Sequence, residues 1–167
     1  INPVEADLGE YIIQLAKEAP YHLIAPAIHK TREEISDLIQ DVAGGPRQED
    51  PKDLTDTARA LLRDEFRKAE MGVSGVNFAV AETGSIAIVT NEGNGRMVTS
   101  APRVHVAIVG MEKVIPSQQD LSTLLRVLIR SATGQRISSY VTVVNGPRKA
   151  PEEDGPDEFH LVIVNNG

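Results

Sequence analysis

The sequence predicts an α/β domain, a three-layer fold in which helices cover a mixed sheet that includes a β-hairpin. Three observations predict it. From Thr31 to Ala69 the apolar residues recur at helical spacing. From Val76 the period changes to short β-rich runs, two of them separated by Thr83–Gly84, a hairpin signal. "VHVAIVG", Val104 to Gly110, is an almost continuous apolar run, as in a central strand buried on both faces. Helices that precede and interrupt strands give an α/β layout.

In chain order, "DLGEYIIQLAKE" carries two patterns. Leu8, Ile12, Leu15 and Ala16 make a helical stripe, and Asp7 with Glu10 mimics a capping box. Gly9 and the Ile12–Ile13 pair suit a strand, and the segment is read as one. Next, Thr31 and Glu34 form a capping box ahead of Ile35, Leu38, Ile39 and Val42, and Gly44 ends that helix. After the polar loop "GGPRQEDPKD", Asp50 precedes Pro51 at a second helix start. Leu54, Ala58, Leu61, Leu62 and Ala69 continue it, and Gly72 is read as its close. "GVSG" through Gly75 is read as flexible or sharply turned.

"VNFAVAE" and "SIAIVT" are the hairpin strands. Past "VHVAIVG", "SQQDLSTLLRVLIRS" returns to helix with Leu121, Leu124, Leu125 and Leu128 inside. "ISSYVTVVNGP" and "FHLVIVNN" are two more strands, separated by the acidic "APEEDGPDE". The passage from Val104–Gly110 through the leucine helix to the Tyr140 strand predicts a right-handed βαβ unit.

The chain has 167 residues, a net charge of −7, 41% hydrophobic residues and no cysteine. That length suits one domain. The acidic balance argues against non-specific nucleic-acid binding. The missing cysteines exclude a disulfide framework, a thiolate nucleophile and a cysteine-ligated metal in these residues. With cysteine absent, a cytoplasmic setting is the plain expectation. No apolar run is long enough for a membrane span. The N-terminus shows no signal-peptide pattern, and a start at Ile1 in place of Met reads as a fragment or a processed form.

Two polar loops are candidates for chemistry. In "NEGNGR", Gly93 and Gly95 permit positive φ and let N–H groups face an anion, and Arg96 can clamp a carboxylate or phosphate. Asn91, Glu92 and Asn94 complete the loop. The same residues also make an ordinary surface turn. No dinucleotide fingerprint is present: "GNGRMV" lacks the third glycine and no helix signal follows. "RSATGQR" brings Ser131, Thr133, Gly134 and Gln135 between Arg130 and Arg136, a polar wall for a small anion or a helix C-cap. Glu82, at a strand end, is a base or nucleophile if burial raises its pKa, and otherwise a carboxylate satisfied by turn N–H groups. His22 and His29 lack the spacing of a helical zinc pair, and His105 and His160 read as hydrogen-bonded core histidines.

"DLGEYIIQLA", "IAPAIHKTREEI", "VNFAVAETGSIAIVTNEGNGR", "VHVAIVGMEKVIP", "RSATGQ" and "DGPDEFHLVIVNNG" together resemble the LUD domain, in its LutB-type form from lactate-utilisation iron–sulfur proteins. The resemblance covers nearly the whole chain, 1–167. It implies a NagB/RpiA/CoA-transferase-like α/β fold, and a bacterial cytoplasmic role in oxidising L-lactate to pyruvate beside LutA-like and LutC-like subunits. It also implies [4Fe–4S] clusters in a C-terminal ferredoxin-like part of the full-length protein. No cofactor is expected in this cysteine-free stretch. Three functions stay open: a domain binding a small carboxylate or a partner subunit, an acyl- or CoA-transfer enzyme using Glu82, and a structural assembly domain.

Overall fold

The computed structural model describes residues 1–90, 92–138 and 140–165, and the chain divides into two compact units, Ile1–Arg67 and Lys68–Gly167.

The first unit is helical. Helix α1 spans Leu8–Ala16, where a strand was expected. Asp7 caps it by accepting the Gly9 N–H, Lys17 closes it at φ 56°, and Tyr11, Ile12 and Ile13 are buried. The cap and the i, i+4 stripe therefore outweigh the β preference of the isoleucine pair. Helix α2, Arg32–Ala43, starts with the predicted capping box and ends at Gly44. Helix α3 spans Pro51–Lys68. Ile39, Leu54 and Ala58 form this unit's core cluster, with Leu8 and Ile35 packed against it.

The second unit stacks two sheets and a helix. Strands β1 (Met71–Gly75), β4 (Val104–Gly110) and β7 (Glu158–Val164) form a three-stranded sheet, all neighbours parallel, with β4 in the centre. Strands β2 (Phe78–Val80), β3 (Ile86–Thr90), β5 (Val114–Ile115) and β6 (Tyr140–Val144) form a mixed sheet in the order β5-β2-β3-β6. It contains the predicted antiparallel hairpin, β2 against β3. Val76, Ala79, Ile86, Ile88, Ala107 and Val109 fill the space between the sheets. Val80, Ala87, Ile115 and Leu121 join the mixed sheet to helix α5, Gln118–Thr133.

Four expectations need correction here. Gly72 and Gly75 belong to β1, not to a helix end and a turn. A Cβ on Gly72 would lie 2.0 Å from the Val98 carbonyl oxygen, so glycine is there to let helix α4, Asn94–Ser100, approach the strand. The strands form two sheets, and β4 pairs with β7 while β6 pairs with β3, so β4 and β6 are not one βαβ unit. Finally, β4 is not buried along both faces: Ala107 and Val109 are buried on one, whereas on the other Val104 is buried, Val106 is half-buried and Ile108 is 42% exposed.

Candidate functional site

The loop from Glu92 to Arg96 begins helix α4, which the sequence reading missed. Gly93 sits at φ 76° as its N-cap. Gly95 does not use positive φ. It is buried, its N–H donates to Asn94 Oδ1 at 2.9 Å, and a Cβ there would lie 2.8 Å from the Thr90 methyl. Its glycine character therefore serves close packing. Arg96 is exposed, and its N–H donates to the Gly93 carbonyl at 3.2 Å. Its own carbonyl accepts from Thr99 and Ser100 hydroxyls. Thr90 Oγ1 is buried with no hydrogen-bond partner. Asn91 lies outside the described residues.

The second loop ends helix α5. Gly134 caps it at φ 71°, donating to the Arg130 carbonyl at 2.9 Å, as predicted. Thr133 Oγ1 donates to the Ile129 carbonyl at 3.1 Å and stands 3.2 Å from Gln135 Oε1. Thr133 and Gln135 line a cavity of about 190 Å³ with Asn77, Ser138, Val89, Leu128, Ile129 and Ala132. Two amides and two hydroxyls thus border an apolar floor. Asn77 is held by strand β3: its Oδ1 accepts the Val89 N–H at 2.8 Å, and its N–H donates to the Ala87 carbonyl at 3.0 Å. Ser131, Gly134 and the residues Gly93–Arg96 are not in that lining, so the two polar loops do not share this cavity.

Asn77 and Ser138 were not singled out from sequence. The available signal for Asn77 was a polar residue at the head of an apolar run; Ser138 gave none.

Glu82 is exposed, where burial was the condition for a reactive carboxylate. Its Oε2 accepts the Gln118 N–H at 3.2 Å, in the first turn of α5. A carboxylate is stabilised there by the unpaired N–H groups of the helix start. Nearby, Ser85 Oγ donates to Asn145 Oδ1 at 2.6 Å and ties the hairpin turn to the residue after β6.

His105 is fully buried, and its Nε2 lies 2.8 Å from Ser74 Oγ. Its ring stands tilted against Phe159 with centroids 5.4 Å apart, and its Nδ1 has no partner. Burial pushes its pKa below the ordinary value, so the neutral ring is favoured. His160, expected in a core, is exposed and stands 3.5 Å from Glu158. The hydrogen bond from Arg103, and then that from His160, holds the Glu158 carboxyl below its usual range. In the first unit, His22 Nδ1 accepts the Ile24 and Ala25 N–H groups.

Among the described residues no group of three His, Asp or Glu side chains could hold a metal ion. With no cysteine in the chain, these residues do not fit a thiolate-held iron–sulfur cluster. No helix among the described residues is long and apolar enough to cross a membrane.

Comparison with known proteins adds the following. Residues 1–164 match the LUD domain family. The chain is 52% identical over 165 residues to "Lactate utilization protein B" of Bacillus pumilus, covering 98% of this chain and 35% of that protein. It is 48% identical over 165 residues to the protein of the same name from Bacillus subtilis, covering 98% and 34%. The chain thus spans about a third of the length of these relatives. A solved DUF162 family protein from Deinococcus radiodurans aligns with TM-score 0.47 and 17% identity, over 61% of this chain and 57% of that one.

Proposed function

The chain belongs to the LUD domain family, and from that premise we propose that it serves lactate utilisation as the small-acid-binding domain of a longer polypeptide. The name carried by relatives half identical to it over nearly its whole length supports the role. The cavity supports the manner. The Asn77 and Gln135 amides supply donors, and the Thr133 and Ser138 hydroxyls, which donate to the Ile129 and Tyr140 carbonyls, supply acceptors, around an apolar floor of a size suited to a three-carbon hydroxy or oxo acid. Lactate and pyruvate differ from larger acids in having only a methyl to set against Leu128 and Ala132.

Redox chemistry belongs elsewhere in this reading. These residues offer no thiolate to ligate a cluster, and in this reading the [4Fe–4S] clusters reside in the remaining length of the polypeptide. LutA-like and LutC-like subunits are its partners, and the assembly works in the cytoplasm. Glu82 serves in this reading as an acceptor at the start of α5, whose N-cap is Ser117, and not as a nucleophile, because its carboxylate is exposed.

The test is an amide NMR titration of the labelled chain with L-lactate, pyruvate and phosphate. Shifts should gather at Asn77, Thr133, Gln135 and Ser138. Thr133→Val should weaken binding about fivefold, the worth of one ordinary hydrogen bond. Saturating acid that moves none of these amides sinks the reading.

A further inference from the structure

The cavity beside the end of α5 has a set hydrogen-bonding polarity. Asn77 Oδ1 accepts the Val89 N–H at 2.8 Å, which fixes the amide and leaves its NH2 for the cavity. Thr133 Oγ1 donates to the Ile129 carbonyl at 3.1 Å, with Gln135 Oε1 a second acceptor at 3.2 Å. Ser138 Oγ donates to the Tyr140 carbonyl at 3.3 Å. A hydroxyl has one proton, so Thr133 and Ser138 turn only lone pairs to a ligand. Amide donors and hydroxyl acceptors therefore border one space. A ligand hydroxyl satisfies both kinds, because it donates and accepts. A keto oxygen only accepts, and it would set its lone pairs against those of Thr133 and Ser138.

The same cavity has nothing to match a carboxylate. Among the described residues, none that lines it is charged, and Arg130 and Arg136 flank it in sequence without entering the lining. One wall is the last turn of α5, a 16-residue helix whose carbonyl end carries partial negative charge. An ionised carboxylate placed inside would lose water without gaining a cation.

We propose that the cavity recognises its ligand by the hydroxyl-bearing carbon and not by the carboxylate, so that its substrate class is small 2-hydroxy compounds, charged or neutral. The proposal rests on the small-acid reading of this cavity given above. The ligand hydroxyl lies between the Asn77 NH2 and the Thr133 and Ser138 oxygens, the methyl group meets Val89, Leu128 and Ala132, and the carboxylate stays in water at the mouth.

The test is an amide NMR titration of this chain with L-lactate, L-lactamide, pyruvate and propionate. Lactamide keeps the hydroxyl and the shape of lactate and replaces the carboxylate by a neutral amide. Lactate and lactamide should both move Asn77, Thr133, Gln135 and Ser138, with dissociation constants within about threefold, since a solvated charge contributes little. Pyruvate and propionate lack the hydroxyl proton and should bind about fivefold more weakly or worse. Asn77→Asp keeps an oxygen for the Val89 N–H and removes the inward NH2. It should weaken lactamide, which has no charge to be repelled, by about fivefold or more; unchanged lactamide binding overturns the proposal. Lactate that binds while lactamide is about tenfold weaker overturns it too and leaves the small-acid reading standing, because a guanidinium such as Arg136 then holds the carboxylate. Pyruvate that binds as tightly as lactate has the same consequence. If none of the four compounds moves these amides, the reading and the proposal fall together.

Discussion

Val109 and Val73 lie on neighbouring strands of one sheet, yet Val109 is 1% exposed and Val73 is 55% exposed. Both are β-branched valines in paired strands. The difference is the face. Val109 points with Gly72, His105 and Ala107 toward the mixed sheet, and Val73 points with Ile108 away from it. A continuous apolar run therefore reports that both faces want cover, but not that one stretch of chain supplies both covers.

The sharpest break of that comparison is at Gly72. Its missing side chain lets the Val98 carbonyl come to where a Cβ would stand. Gly72→Ala forces helix α4 off β1, and the expected loss is about 3 kcal/mol or more, as for an overpacked core that must move backbone. Chemical denaturation of the variant checks this. A loss within experimental error would mean that α4 adapts freely. The paired truncations come next. Val109→Ala should cost about 2 kcal/mol by lost burial and the cavity left behind. Val73→Ala should stay within about 0.5 kcal/mol, as for other exposed positions. Equal costs from denaturant melts would erase the distinction between the faces.

These positions also mark what the sequence made legible. Helices α2, α3 and α5 and the β2–β3 hairpin were readable because local chemistry sets them: a capping box, Pro51 after Asp50, a leucine stripe, Thr83–Gly84. Strand β1 was not, because "MGVSG" is short and carries two glycines, and its strand character comes from pairing with β4. Helix α4 was hidden by glycines that look like a loop, although Gly95 is set by the Thr90 methyl. At the site, Thr133 and Gln135 were legible from their loop. Asn77 and Ser138 join them only through the tertiary fold, which brings the start of β2 beside the end of α5.

The smallest expected effect is a pH dependence with opposite signs in the two units. On the inner face, burial lowers the pKa of His105, so the unfolded chain takes up its proton first. Its contribution to stability is present above the ordinary histidine pKa of about 6.5 and is lost as pH falls below it. Glu10 in helix α1 runs the other way. The hydrogen bond shared with Asp7, and then burial, raises its pKa from 4.5 to about 6. Its contribution is fully present below 4.5 and is lost as pH rises through about 6. Glu34 and Glu158 are held low, so they matter only in more acid solution. Between pH 4.5 and 6.5 the second unit should therefore lose stability on acidification while the first gains slightly. Hydrogen exchange resolved by unit, at the two ends of that window, separates them. His105→Leu should flatten the slope in the second unit alone, and Glu10→Gln should flatten it in the first alone. If His105→Leu leaves the second unit's slope unchanged, another group sets its acid sensitivity, and the enclosed imidazole of the inner face is not the cause.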